Sequence, residues 1–267
     1  MSPSVPTLDA ELALAARCGP ERRIVVGIDE VGRGALAGPV AMGACAIEVT
    51  GGRAAALPEG VRDSKQLTAR RREALVDPIL ATVRAGAVGW SSAAEIDEIG
   101  IVGALTRAAL RALDALDLEI DAILLDGNCD LLSAALAAAD RPAPRVELRV
   151  AADRDCASVA AASILAKVAR DARMVELDAL APVYGWASNK GYGSAAHRDA
   201  IDRHGPHEHH RRSWRLGSAP APVRPRAPAP PRSGAMLPAL LEPAPAFSSA
   251  GVLWGDQWPR QEQEELR

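Results

Sequence analysis

The sequence predicts an α/β fold, a mixed sheet flanked by helices. Apolar runs of strand length recur at 24–31, 40–49 and 121–126. Segments with helical spacing lie between and after them, at 66–84, 93–116 and 157–179. Alternation of the two kinds is the pattern of a sheet covered by helices.

Taken in order, IVVGIDEV (24–31) is a continuous apolar run broken by two carboxylates, which reads as a buried strand. VAMGACAIEV (40–49) is a second strand, and the glycine-rich connection makes the pair a hairpin candidate. Residues 66–84 place Leu67, Leu75 and Ile79 at roughly helical spacing. AGAVGWSS (85–92) is a weaker strand, and 93–116 fits one or two helices. DAILLD (121–126) is a buried strand ending in an acid, whereas RVELRV (145–150) alternates in the manner of an edge strand. The alanine-rich stretch 157–179 reads as helix.

Composition changes near Ser218. The remainder holds ten of the chain's 20 prolines and is rich in alanine, a composition that favours extended, solvated backbone over a packed core. Residues 1–20 are read as an N-terminal extension, 21–217 as the packed domain and 218–267 as a disordered tail. The end of the tail, AGVLWGDQWPRQEQEELR, has the alternative reading of a short docking peptide.

The four cysteines, Cys18, Cys45, Cys129 and Cys156, form no CxxC pair and read as small buried residues in a reducing compartment. No apolar run approaches the roughly 20 residues of a membrane span. The N-terminus has early acids and no long apolar stretch, unlike a secretory signal. A cytoplasmic protein is therefore expected, with a monomer as the default.

A net charge of −3 argues against a protein that coats nucleic acid by bulk attraction. Lys190–Arg215, however, holds six basic residues against three acids, together with all five histidines. Such a patch suits phosphate. Of 31 basic residues only Lys65, Lys167 and Lys190 are lysine. In a chain so biased to arginine, a retained lysine hints at a site wanting a compact point charge.

The acids are informative by position. Asp29 and Glu30 end one apolar strand and Asp126 ends another. A carboxylate buried without a partner costs several kcal/mol, so such acids need either an arginine or a divalent cation. Ligands in α/β sheets gather where strands end together. Directly after the paired acids comes Gly32-Arg33-Gly34, where glycines leave backbone amides open to a phosphate or sugar. An ordinary turn is the alternative.

Here a resemblance becomes specific. GIDEVGRGALAGPV (27–40) resembles the opening signature of ribonuclease HII, the type 2 ribonuclease H family. DSKQLTARRREAL (63–75) is similar to its second block, and LLDGN (124–128) to the strand carrying its third acid. SVAAASILAKVARD (158–171) resembles the helix after its fourth acid, and NKGYGSAAHRDAIDRHGPHEHHRRSW (189–214) its C-terminal block. Five ordered blocks over roughly 20–216 are far more specific than one motif.

The resemblance implies a ribonuclease H-like mixed sheet flanked by helices, with a small helical C-terminal part. It implies an endoribonuclease that hydrolyses the RNA strand of RNA–DNA hybrids and nicks 5′ of single ribonucleotides in duplex DNA. Ribonucleotide excision repair would be its task. Asp29, Glu30, Asp126 and Asp153 would hold two ions, Mg²⁺ or Mn²⁺, with Asp155 competing for the fourth place. Two-metal hydrolysis would leave a 5′-phosphate and a 3′-hydroxyl. Gly32, Arg33, Gly34 and Tyr192 would read the 2′-hydroxyl that separates RNA from DNA. Lys65, Lys167 and Lys190 would meet phosphates, with Ser64 assisting Lys65 and a structural role open for Lys167. His210, Arg211 and Arg212 are further candidates for backbone phosphates. A zinc site at His207, Glu208, His209 and His210 is disfavoured, since no cysteine lies near and adjacent loop residues rarely face one metal.

A resolvase-like nuclease of the same fold would also cluster acids at strand ends, but without the two glycine turns for ribose. A non-catalytic hybrid-binding protein would lack an acid, and all four positions are filled.

Overall fold

The computed structural model describes residues 5–138 and 143–217 and, in the backbone, 246–247. Helix α1 (Asp9–Cys18) is followed by strands β1 (Arg23–Val31) and β2 (Val40–Val49), helix α2 (Ala69–Thr82) and strand β3 (Ala85–Ser91). Then come α3 (Ala93–Ala115), β4 (Ala122–Asp126), α4 (Ser133–Ala137), β5 (Arg145–Arg149) and α5 (Ala152–Asp155). The long α6 (Ala157–Leu180), the short α7 (Trp186–Asn189), α8 (Ala195–His204) and the two-residue β6 (Ala246–Phe247) complete the order.

The strands form one mixed sheet in the order β5-β4-β1-β2-β3-β6. The antiparallel β1–β2 hairpin and RVELR as an outer strand follow the sequence's expectations, and the parallel β1–β4 and β4–β5 pairs make the sheet mixed. Apart from Ala246–Phe247, the segment read as a disordered tail lies outside the described residues.

Side-chain alternation splits the core into two layers. Ile24, Val26 and Ile28 of β1 pack against α3 and α4 on one face. Val25 of β1 and Leu124 of β4 pack on the other face with α1, α2 and α6. Continued one residue, this period turns Asp29 and Asp126 toward the α6 face. A capping box between Ser92 and Glu95 starts α3, and a left-handed Gly100 (φ 75°) kinks it. The one-or-two-helix expectation for 93–116 thus resolves as two helical segments that meet at Gly100.

Helix α6 lies unusually close to the sheet. A Cβ on Gly27 would sit 2.4 Å from the Ser158 carbonyl carbon, and one on Gly43 would sit 2.2 Å from the Ala162 oxygen. Glycines below and alanines above therefore let two backbones touch, which explains the alanine bias of this helix. A third, smaller cluster of Leu36, Met174, Tyr184, Trp186 and Ile201 joins the C-terminal helices to the end of α6.

The stretch set apart as an extension is part of this packed body. Leu14 of α1 is fully buried in the α6-side core. Glu11, also buried, accepts a 2.7 Å hydrogen bond from the Ser158 amide at the start of α6. No described helix is long and apolar enough to cross a membrane.

Candidate active site

Parallel pairing sets β1 beside β4, with Ile28 opposite Leu125 as the last pair, so Asp29 and Asp126 emerge side by side. Asp29 is 4% exposed. Its Oδ1 accepts from the Glu30 amide at 2.8 Å. Burial, reinforced by the charges of Asp126 and Asp153, pushes its carboxyl up to about 7, while the Ser163 hydroxyl pulls the other way.

Asp126 Oδ1 accepts from the Ala152 amide at 2.8 Å, which ties the end of β4 to the turn into α5. Ala151, in the left-handed region at φ 58°, makes that turn and presents Asp153. Asp153 is buried, and burial raises its pKa against the opposing pull of Lys65, whose Nζ lies 3.4 Å from Asp153 Oδ2. Asp155, the competitor for the fourth place, instead pairs with Arg149 at 3.2 Å, leaving Asp153 as the acid facing Asp29 and Asp126.

Glu30, next to Asp29 at the end of β1, faces Arg33 at 3.4 Å from both carboxylate oxygens. Asp63, unremarked in the sequence, is buried and its charge also raises Asp153. The cluster is therefore made of hard oxygen donors that repel one another, one of them almost fully buried. That donor set fits Mg²⁺ or Mn²⁺.

Some expected roles change. Arg211 is fully buried, so it does not reach phosphate. Its guanidinium donates to the carbonyls of Gly32 and Arg33 at 2.7 Å each and of Gly38 at 3.2 Å. His210 is likewise fully buried. Its Nδ1 accepts from the His207 amide at 2.9 Å, so Nε2 carries the proton and donates to His197 Nε2 at 3.1 Å. His197 Nδ1–H then donates to the Tyr192 carbonyl at 2.9 Å. Burial pushes His210 down to about 3 and lowers His197, in keeping with two neutral rings.

The buried Ser64 hydroxyl is hydrogen-bonded to that of Ser163 at 2.7 Å. Lys167 takes the structural role, paired with Asp171 at 2.6 Å. The Lys190 ammonium caps the Ala187 carbonyl at 2.6 Å. Arg212 is exposed, as phosphate contact requires. The Arg33 side chain is half exposed, and Tyr192 is exposed with its ring beside the Arg170 guanidinium at 5.6 Å.

Ligand atoms of His207, Glu208 and His209 lie within 4.8 Å of one another, so adjacent loop residues do converge here. Glu208 is exposed, however, and His207 Nδ1 faces the His209 amide at 3.4 Å. Sequence reasoning missed Ser163, His197 and Arg170. A serine and an arginine in an alanine-rich helix, and a histidine in a basic run, carry no local mark of burial.

The model of the family described as "Ribonuclease HII" matches residues 26–216. The chain belongs to the ribonuclease HII family. Ribonuclease HII of Streptomyces griseus is 45% identical over 213 residues, covering 78% of this chain and 84% of the relative. That of Ruegeria sp. is 47% identical over 210 residues, covering 79% and 84%. Among solved structures, the ribonuclease H2 of Pyrococcus horikoshii superimposes with a TM-score of 0.58 at 26% identity, covering 72% of this chain and 94% of that one. The ribonuclease HII of Archaeoglobus fulgidus, solved with PCNA, gives 0.57 at 26% identity, covering 74% and 98%. Ribonuclease HII is an endoribonuclease with ribonuclease H activity on RNA–DNA hybrids, and the matched span contains every acid of the cluster.

Proposed function

We propose that the chain acts as a monomer in the cytoplasm, cutting the RNA strand of hybrids and nicking duplex DNA 5′ of a single embedded ribonucleotide, as ribonucleotide excision repair requires. One observation carries the reading: the buried Asp29, facing Asp126 and Asp153, lies beside the Gly32-Arg33-Gly34 turn, whose continuation at Leu36 and Ala37 is bonded to the Tyr192 turn.

Asp29, Glu30, Asp126 and Asp153 would hold Mg²⁺ or Mn²⁺. Bound there, the cations supply Lewis acidity at the phosphate, for the attacking water and the leaving 3′ oxygen. A ribonuclease HIII solved in complex with Mn²⁺ shares the fold at 24% identity and a TM-score of 0.52. The protein's own residues do the placing. Lys65, at Asp153, offsets the acid cluster and stands ready for phosphate. The Gly32–Gly34 backbone and Arg33 approach the sugar, the Tyr192 ring stacks on it, and its hydroxyl meets the 2′-hydroxyl. Arg212 meets the phosphate backbone. The products carry a 5′-phosphate and a 3′-hydroxyl.

The test uses an RNA–DNA hybrid and a DNA duplex with one ribonucleotide, each with Mg²⁺, Mn²⁺ or EDTA. Metal-dependent cutting of both, lost in Asp126→Asn, is expected. Cutting in EDTA, or by the variant at the wild-type rate, would overturn the reading.

A further inference from the structure

Two buried arginines are left over once the acids, the turns and the phosphate contacts have been assigned. Arg170, on α6, and Arg211, beyond α8, are both fully buried. Two guanidinium groups removed from water, with burial and the charge of Arg170 both loosening the proton of Arg211, are costly to the fold. Asp171 and Asp97 offset part of this from a distance. What the two groups touch accounts for their presence.

Arg211 donates only into the first turn, to the carbonyls of Gly32, Arg33 and Gly38. Its own amide donates to the Leu36 carbonyl at 2.9 Å, and Trp214 lies against its guanidinium at 4.9 Å. Arg170 bridges both turns. It donates to Pro39 at 2.9 Å and Ala37 at 3.3 Å on one side, and to Lys190 at 3.0 Å on the other. Its guanidinium also faces the Tyr192 ring. The room for it comes from Gly32, at φ 85°, where a Cβ would lie 2.0 Å from Arg170 Nε. The turns are also joined directly, since the Leu36 and Ala37 amides donate to the Gly191 carbonyl at 2.7 and 3.2 Å.

A guanidinium has five donors in a rigid plane and can hold several carbonyls of one loop at fixed spacing, which a lysine cannot. Both ribose-facing turns are thus hung on two planar forks, and the Arg33 and Tyr192 side chains are left outward. We propose that Arg170 and Arg211 are positioning residues for ribose recognition, holding the Gly32–Gly34 and Lys190–Tyr192 turns as one preassembled unit before substrate arrives. This rests on the reading that those turns contact the ribose.

The first test needs no variant. In the free protein, amide hydrogens of Leu36, Ala37, Gly38 and Arg211 exchange as slowly as those of the β1–β2 hairpin, and a ribonucleotide-containing duplex with Ca²⁺ slows them no further. Fast exchange that becomes protected only on binding would overturn preassembly. The second test compares Arg170→Lys and Arg211→Lys with Leu113→Ala, a core change in α3 that lowers stability away from the turns. Misplacing a reading group by about 1 Å costs up to about a hundredfold in rate, so each lysine variant should lose at least about tenfold in kcat. Mn²⁺ affinity by calorimetry should stay within about twofold, because no acid of the cluster is touched. In Ca²⁺ the preference for binding a one-ribonucleotide duplex over an all-DNA duplex should fall toward unity in both variants, and hold in Leu113→Ala. Lysine variants that keep kcat and that preference, or an equal loss in Leu113→Ala, would overturn the proposal. If the wild-type protein cut neither substrate, the functional reading would fail instead, while the exchange result would still decide preassembly.

Discussion

Asp29→Asn should make the metal-free protein more stable while abolishing its activity. Burial and two neighbouring acids raise the Asp29 carboxyl from 3.8 to about 7 in the folded state. Below about pH 4 both folded and unfolded chains hold the proton and the group is neutral to stability. Between about pH 4 and 7 the folded protein keeps a proton that the unfolded chain has released, so its stability falls as pH rises. Above about pH 7 the whole cost is present, and a shift of this size corresponds to about 4 kcal/mol as an upper bound. Asparagine keeps an oxygen for the Glu30 amide and removes the charge. Urea unfolding in EDTA at pH 8 should therefore show the variant more stable by about 2–4 kcal/mol, with the difference shrinking below about 1 kcal/mol at pH 4. Mn²⁺ should then raise the wild-type midpoint and leave the variant's almost unmoved. A variant that is neutral or less stable at pH 8, or whose gain does not change with pH, would refute the electrostatic account of the cluster.

The buried histidines predict an opposite pH effect. His210 is held neutral, down to about 3 from 6.5, so its stability is present above pH 6.5 and drains away as pH falls below it. Unfolding at pH 5 should cost the wild type about 2 kcal/mol relative to a His210→Gln variant, compared with pH 7.5, and an unchanged difference would contradict a neutral ring. Gly27→Ala should cost about 2–3 kcal/mol, since its Cβ meets the α6 backbone at Ser158 and Val159 as well as the Ser158 hydroxyl; thermal melts check this, and a shift under about 1 °C would be inconsistent with the close packing. Tyr192→Phe keeps the ring beside Arg170 and loses the hydroxyl, so kcat/KM on a one-ribonucleotide duplex should fall roughly threefold to tenfold with the melting temperature unchanged; full activity would remove the hydroxyl from ribose reading.

Strands β1, β2 and β4 were legible because each is an apolar run with its own boundary: Val40–Val49 begins and ends where its residues change character. Acids at strand ends stood out for the same reason, as charge interrupting apolar sequence at Asp29 and Asp126. What depends on the third dimension was not legible. Arg211 and Arg212 are adjacent and chemically identical, yet one is fully buried and the other is exposed, because only the first faces the carbonyls of the Gly32 turn. Asp153 and Asp155 are separable only through their partners, Lys65 from a distant loop and Arg149 from the outer strand. Helix α1 has a weak local pattern and gains its place through Leu14 and the Glu11–Ser158 bond. Ser64 and Lys167 fell in suggestive motifs but were taken by Ser163 and Asp171.

The most direct measurement changes one oxygen atom. Two DNA duplexes of identical sequence, one with a single 2′-hydroxyl and one without, are incubated with the wild-type protein and Mg²⁺, and the product ends are mapped. A single nick 5′ of the hydroxyl-bearing nucleotide, leaving 5′-phosphate and 3′-hydroxyl ends, with the all-deoxy duplex intact, is the predicted result. Equal cutting of both duplexes, or of neither, would contradict it.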